Sequence, residues 1–73
     1  MWLMSRRGDP DRIDLARRYA VRNRLMAVGM SEERAEAWCD AWEVEAARRR
    51  VPRAAATFWR DGGTWIEEQR RRA

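Results

Sequence analysis

Apolar positions along this chain recur at spacings of three and four, the signature of amphipathic helix. The pattern is clearest at Ala35, Trp38, Cys39, Trp42 and Ala46, which share one helical stripe, while Glu32, Glu36, Asp40 and Glu43 line the neighbouring face. Upstream the pattern is doubled. Leu15, Tyr19 and Met26, with Ile13, Ala16, Ala20 and Ala27, form one broad apolar face, and Val21, Leu25 and Val28 form a second stripe on nearly the opposite side. Downstream, Ala54, Ala55, Phe58, Trp59, Gly62, Trp65, Ile66 and Gln69 keep a single helical phase.

The punctuation divides these patterns into three helices. Asp9-Pro10 combines an N-cap residue with a proline at the first helical position, and Gly29 supplies a left-handed stop. Ser31 caps the next segment, with Glu32 and Glu33 in its first turn and Arg48, Arg49 and Arg50 at its end, charges that suit the helix dipole. Val51-Pro52 separates it from the third. Asp61-Gly62-Gly63-Thr64 resembles a break, but the apolar phase runs through it without slipping, so one continuous helix is expected, with a partner helix packed on the bare backbone at Gly62. The expected fold is therefore all-α: a three-helix bundle with helices at about 10–28, 32–50 and 53–71, alone or in a helical oligomer. Residues 1–8 form an N-terminal arm, flexible or anchoring a partner, ahead of a single domain over 9–73.

Composition narrows the chemistry. Among 73 residues there are 16 basic side chains, all arginine, against 12 acidic ones, and no histidine. Lacking histidine, the chain cannot build the usual catalytic dyads or imidazole metal sites, and one cysteine excludes an internal disulfide or a multi-cysteine metal site. Cys39 lies on the tryptophan stripe and reads as an inert buried thiol. No phosphate-cradling glycine loop is present, since Gly62-Gly63 stands alone. An enzyme, a cofactor, a metal and a small-molecule substrate are all unexpected. The apolar opening Met1-Trp2-Leu3-Met4 is too short for a signal core or a membrane span, and a cytoplasmic location is expected.

Charge is segmented. Residues 1–30 carry a net +4, residues 31–47 a net −5, and residues 48–73 a net +5. An acidic middle helix between two basic ones predicts interhelical ion pairing. Within helices, Asp14–Arg18, Glu45–Arg49, Glu67–Arg71 and Glu68–Arg72 have the favourable acid-first order at i,i+4.

Two kinds of surface remain. A helix in a three-helix bundle needs only one buried face, so the stripe of Val21, Leu25 and Val28 calls for a cover; with Trp2 and Leu3 it forms the expected protein-binding surface, rimmed by Arg18 and Arg22. The competing reading is association with nucleic acid, its phosphates held by Arg17, Arg24, Arg48, Arg49, Arg50 and Arg53. A helix–turn–helix at Gly29 to Ala35 fits poorly, because the helix entering the groove would open on Glu32, Glu33 and Glu36. The tryptophans at 38, 42, 59 and 65 read as core, with one ring left for a partner as the alternative. A chain this short rarely builds a generous core, which also favours a partner or self-association.

The runs Trp38-Cys39-Asp40-Ala41-Trp42-Glu43-Val44-Glu45-Ala46-Ala47 and Phe58-Trp59-Arg60-Asp61-Gly62-Gly63-Thr64-Trp65-Ile66-Glu67-Glu68-Gln69-Arg70 are similar to small Arg- and Trp-rich helical proteins of actinobacteria, their phages and integrated elements. The resemblance spans roughly residues 31–72. It implies an intact two-helix unit with the glycines inside its second helix, and it transfers no active site.

Overall fold

The computed structural model describes residues 10–72, with side chains from residue 14 onward. The expected anchor residues Trp2 and Leu3, the arm over 1–8 and the Asp9 cap lie outside the described residues. Three helices follow one another: α1 (Pro10–Ala27), α2 (Glu32–Arg48) and α3 (Phe58–Arg72). Each packs against the other two, giving the expected three-helix bundle.

The ends of α1 and α2 are closed by the same device. After α1, Gly29 takes φ 103°; its N–H donates to Met26 O at 3.0 Å, and the Met30 N–H donates to Leu25 O at 3.1 Å. These two bonds satisfy carbonyls that a helix end otherwise leaves open. Arg50 does the same after α2 with φ 62°: its N–H donates to Ala47 O at 3.1 Å, and the Val51 N–H to Ala46 O at 2.9 Å. Met30 and Val51, the residues that follow, pack against the core. The left-handed turn at Arg50 is why α2 stops at Arg48 rather than reaching the expected residue 50. Its start is as expected, with the Ser31 hydroxyl accepting from the Arg34 N–H at 3.2 Å.

The third helix begins later than the expected residue 53. Residues 52–58 pass through turns in which Pro52 O accepts from the Ala55 N–H and Ala55 O from the Phe58 N–H, both at 3.0 Å. Ala54 is exposed and Ala55 half-buried, so the segment offers little apolar surface to hold another turn of helix. Phe58 and Trp59, both buried, supply the first real anchors, and α3 starts there. It then continues unbroken through Gly62 and Gly63.

The core is built around α2, whose Ala35, Cys39, Trp42 and Ala46 are all buried. Trp42 is its centre, with ring centroids 5.6 Å from Phe58 and 5.7 Å from Trp65. Its indole lies so close to Gly62 that a Cβ there would stand 2.5 Å from both Cδ1 and Nε1. Glycine is therefore required at 62, and the close approach offsets its cost of roughly 1 kcal/mol within a helix. Trp59 is buried, and Trp38 and Trp65 are half-buried, so all four helical tryptophans contribute to the core or its margin.

Helix α1 reverses the expected assignment of its two faces. Val21 and Leu25 are the buried pair, 6% and 1% exposed, whereas Leu15, Tyr19 and Met26 on the broad face remain 51%, 44% and 37% exposed. Val28, past the helix end, is exposed as well. Charge explains the choice. The rotation that buries Val21 and Leu25 also sets Arg18 and Arg22 against the acidic row of α2, and Asp14 against Arg53.

Candidate interaction surfaces on the first helix

Helix α1 presents three surfaces of different character. Towards α2 it is stitched by ion pairs. The Arg18 guanidinium donates to Glu36 at 2.6 Å and to Asp40 and Glu43 at 2.8 Å. Arg22 reaches Glu36 at 3.3 Å and Glu32 at 3.4 Å, and its guanidinium carbon lies 4.9 Å from the centre of the Tyr19 ring. Burial weighs against the Arg18 charge, yet its bonds to Glu36 and Asp40 outweigh that, and the group is held more firmly protonated than an ordinary arginine. The Arg18 bond in turn holds the Glu36 carboxyl below the usual carboxylate range. Arg18 and Arg22, expected at the rim of a docking surface, are thus bonded inside the bundle, and Val21 and Leu25, expected to be that surface, are its core.

The six arginines expected to track phosphate are divided in the same way. Arg48 and Arg49 both turn to Glu45, whose carboxyl their hydrogen bonds pull down to about 2. Arg53 bridges Glu43 and the buried Asp14, each at 2.9 Å. Asp14 therefore pairs across the bundle instead of with Arg18, and Glu67 pairs with Arg24 instead of Arg71. Arg50 is exposed at the end of α2. Arg17 and Arg24 border one cleft, on the α3 side.

There α1 and the start of α3 enclose a cleft of about 320 Å³. Arg17 and Arg24 border it from α1 and Arg60 from α3, around apolar walls formed by Ala20, Val21, Ala56 and Trp59. The guanidiniums here have only long contacts: Arg17 to Ala56 O at 3.3 Å, Arg24 to Glu67 at 3.5 Å, and Arg60 to its neighbour Asp61 at 3.5 Å. No acid lines the cleft among the described residues, and the buried indole N–H of Trp59 has no acceptor. Arg60 was not singled out by the sequence, because only the packing of α3 on α1 brings it beside Arg17 and Arg24.

The third surface faces outward. Leu15, Tyr19 and Met26 lie open along it, flanked by exposed Ala16 and Ala27. The clue in the sequence was the placement of Arg18 and Arg22 next to Val21 and Leu25, which ties that face, not this one, to α2.

Other chemistry is sparse. Cys39 is fully buried, and desolvation pushes its thiol up to about 11, so little thiolate forms at neutral pH. Among the described residues no cluster of metal-ligating side chains occurs, and no helix is long and apolar enough to cross a membrane. No protein-family model matches the chain, and neither a curated protein nor a solved structure does.

Proposed function

We propose that this chain is a small non-enzymatic interaction module that binds protein, a second copy of itself or a neighbouring subunit, through the outward face of α1. The observation that carries this reading is the row Leu15, Tyr19 and Met26, left open on a helix that buries Val21 and Leu25 on another face. The small Ala16 and Ala27 beside these larger side chains leave room for another helix, and Tyr offers both apolar area and a hydroxyl, a combination favoured at interfaces. Salt-bridged α2 and the aromatic core hold the helix rigidly, so little ordering cost falls on binding. A fold that relies on no disulfide, its single cysteine being buried, suits a reducing compartment such as the cytoplasm.

The test compares the native chain with a Leu15→Gln/Tyr19→Gln variant by sedimentation over a wide concentration range and by cross-linking in cell extract. Both substituted side chains are largely exposed, so the variant should keep its helical circular dichroism and melting temperature. The native chain should self-associate or cross-link to a defined protein, and the variant should do neither. Native protein that stays monomeric and uncrosslinked, or a variant that associates equally well, would overturn the reading.

A further inference from the structure

We infer that the cleft between α1 and α3 is a binding site for a phosphate-bearing anion, a function separate from docking through the outward face of α1. Three arginines from two helices converge on one concavity that contains no acid. Guanidinium groups recognise phosphate through paired, charge-assisted hydrogen bonds, and their preferred contacts are near 2.7–2.9 Å. Elsewhere in this molecule arginine achieves such geometry, as at Arg18 with 2.6–2.8 Å to its carboxylates. Around the cleft the same groups make do with contacts of 3.3–3.5 Å. Their donors are therefore poorly used, and a phosphate oxygen would offer each a better acceptor than it has.

Spacing narrows the ligand. Arg17 and Arg24 stand seven residues apart on α1, about 10 Å along the axis, and Arg60 closes on them from the opposite wall. One small ion would leave part of that span empty; a diphosphate, or successive phosphates of a single strand of nucleic acid, fills it. The lining of Ala20, Val21 and Ala56 is apolar and carries no aromatic face, and Trp59 is too buried to stack on a base. Recognition therefore rests on phosphate and not on base identity.

The experiment titrates the full chain with inorganic pyrophosphate and, separately, with a short oligothymidylate at low salt. It follows the assigned indole N–H resonance of Trp59 and the arginine side-chain resonances by NMR. Saturable binding of one pyrophosphate per chain is expected, with the largest shifts at Trp59, Arg17, Arg24 and Arg60. Arg17→Gln, Arg24→Gln and Arg60→Gln should each weaken binding by about fivefold or more, as loss of a charge-assisted bond implies. Arg50→Gln and Arg71→Gln, which remove the same charge elsewhere, should change it by less than about twofold. If the oligonucleotide displaces pyrophosphate and binds more tightly with a steep salt dependence, strand phosphates are the source; if it binds no better, the source is a free phosphorylated ligand. Absence of saturable binding, shifts centred elsewhere, or equal weakening by the control substitutions would overturn the assignment. Leu15→Gln/Tyr19→Gln should leave pyrophosphate binding intact, which separates failure here from failure of the docking face.

Discussion

Towards α2, the first helix meets its neighbour through an arginine that holds three carboxylates at 2.6–2.8 Å, and α3 meets α2 through an indole seated on bare glycine backbone. Towards each other, α1 and α3 bury Val21 beside Gly63, but among the described residues their polar contact is a single long pair, Arg24 to Glu67 at 3.5 Å, at the edge of an open cleft. The adjacent glycines of α3 display this contrast at single-residue scale. A Cβ on Gly62 would collide with Trp42, whereas one on Gly63 would have only Arg24 and Val21 beside it, each at 3.7 Å. The difference teaches that stability here resides in α2 as a hub. On the α1–α3 side the buried residues Val21 and Trp59 are overlain by arginines that make only long polar contacts.

The largest effect should come from that glycine pair. Gly62→Ala is expected to lower stability by about 1–3 kcal/mol, because the overpacked indole outweighs the gain in helix propensity. Gly63→Ala should raise it by up to about 1 kcal/mol. Denaturant midpoints of the two variants test this; midpoints shifted equally in one direction would erase the contrast between the sides. Next comes the arginine pair. Arg18→Ala removes three ion pairs between α1 and α2, though Arg22 still reaches Glu36 and Arg53 still holds Glu43, and should cost about 1–2 kcal/mol, whereas Arg17→Ala, on the open side, should stay within about 0.5 kcal/mol of the native chain. Thermal unfolding of both distinguishes them.

The smallest effect per group is expected from acid. Glu36 and Glu45 have carboxyl pKa values lowered in the folded chain, so their contribution is present above the ordinary carboxylate range and is lost as pH falls towards the folded values. The urea midpoint should accordingly decline from about pH 5 downward, where unfolded carboxylates begin to bind protons. Arg18→Ala should flatten the share of this decline that Glu36 contributes. A profile unchanged by that substitution would mean that the α2 pairings do not distinguish one side of the bundle energetically.

Much of the architecture was legible because local signals agreed with one another. Ser31 and Gly29 fixed helix ends by simple backbone chemistry, and the stripe at 35, 39, 42 and 46 had only one face to bury. Arg50 was not legible as a stop, since a left-handed arginine has no propensity signal and is imposed by the chain reversal that follows. The surfaces were harder. Helix α1 carries two apolar faces, and hydrophobicity alone favours the broader one; the pairing of Arg18 and Arg22 with α2 decided for the narrower. A surplus of apolar positions on α1 was legible, but which of them stay exposed depended on the rotation that the ion pairs select. The cleft needed Arg60, far along the chain from Arg17 and Arg24, and no short-range pattern joins them.

The seat of Trp42 on Gly62 also constrains how the length of this chain can vary. Helix α3 is keyed to α2 like a notched rod: sliding it by one residue one way would thrust Asp61 into the notch, and sliding it either way would turn Ile66 away from the interior. Added or deleted residues should therefore be absorbed in the turns before Phe58, where the backbone is irregular already, and scarcely at all between Gly62 and Ile66.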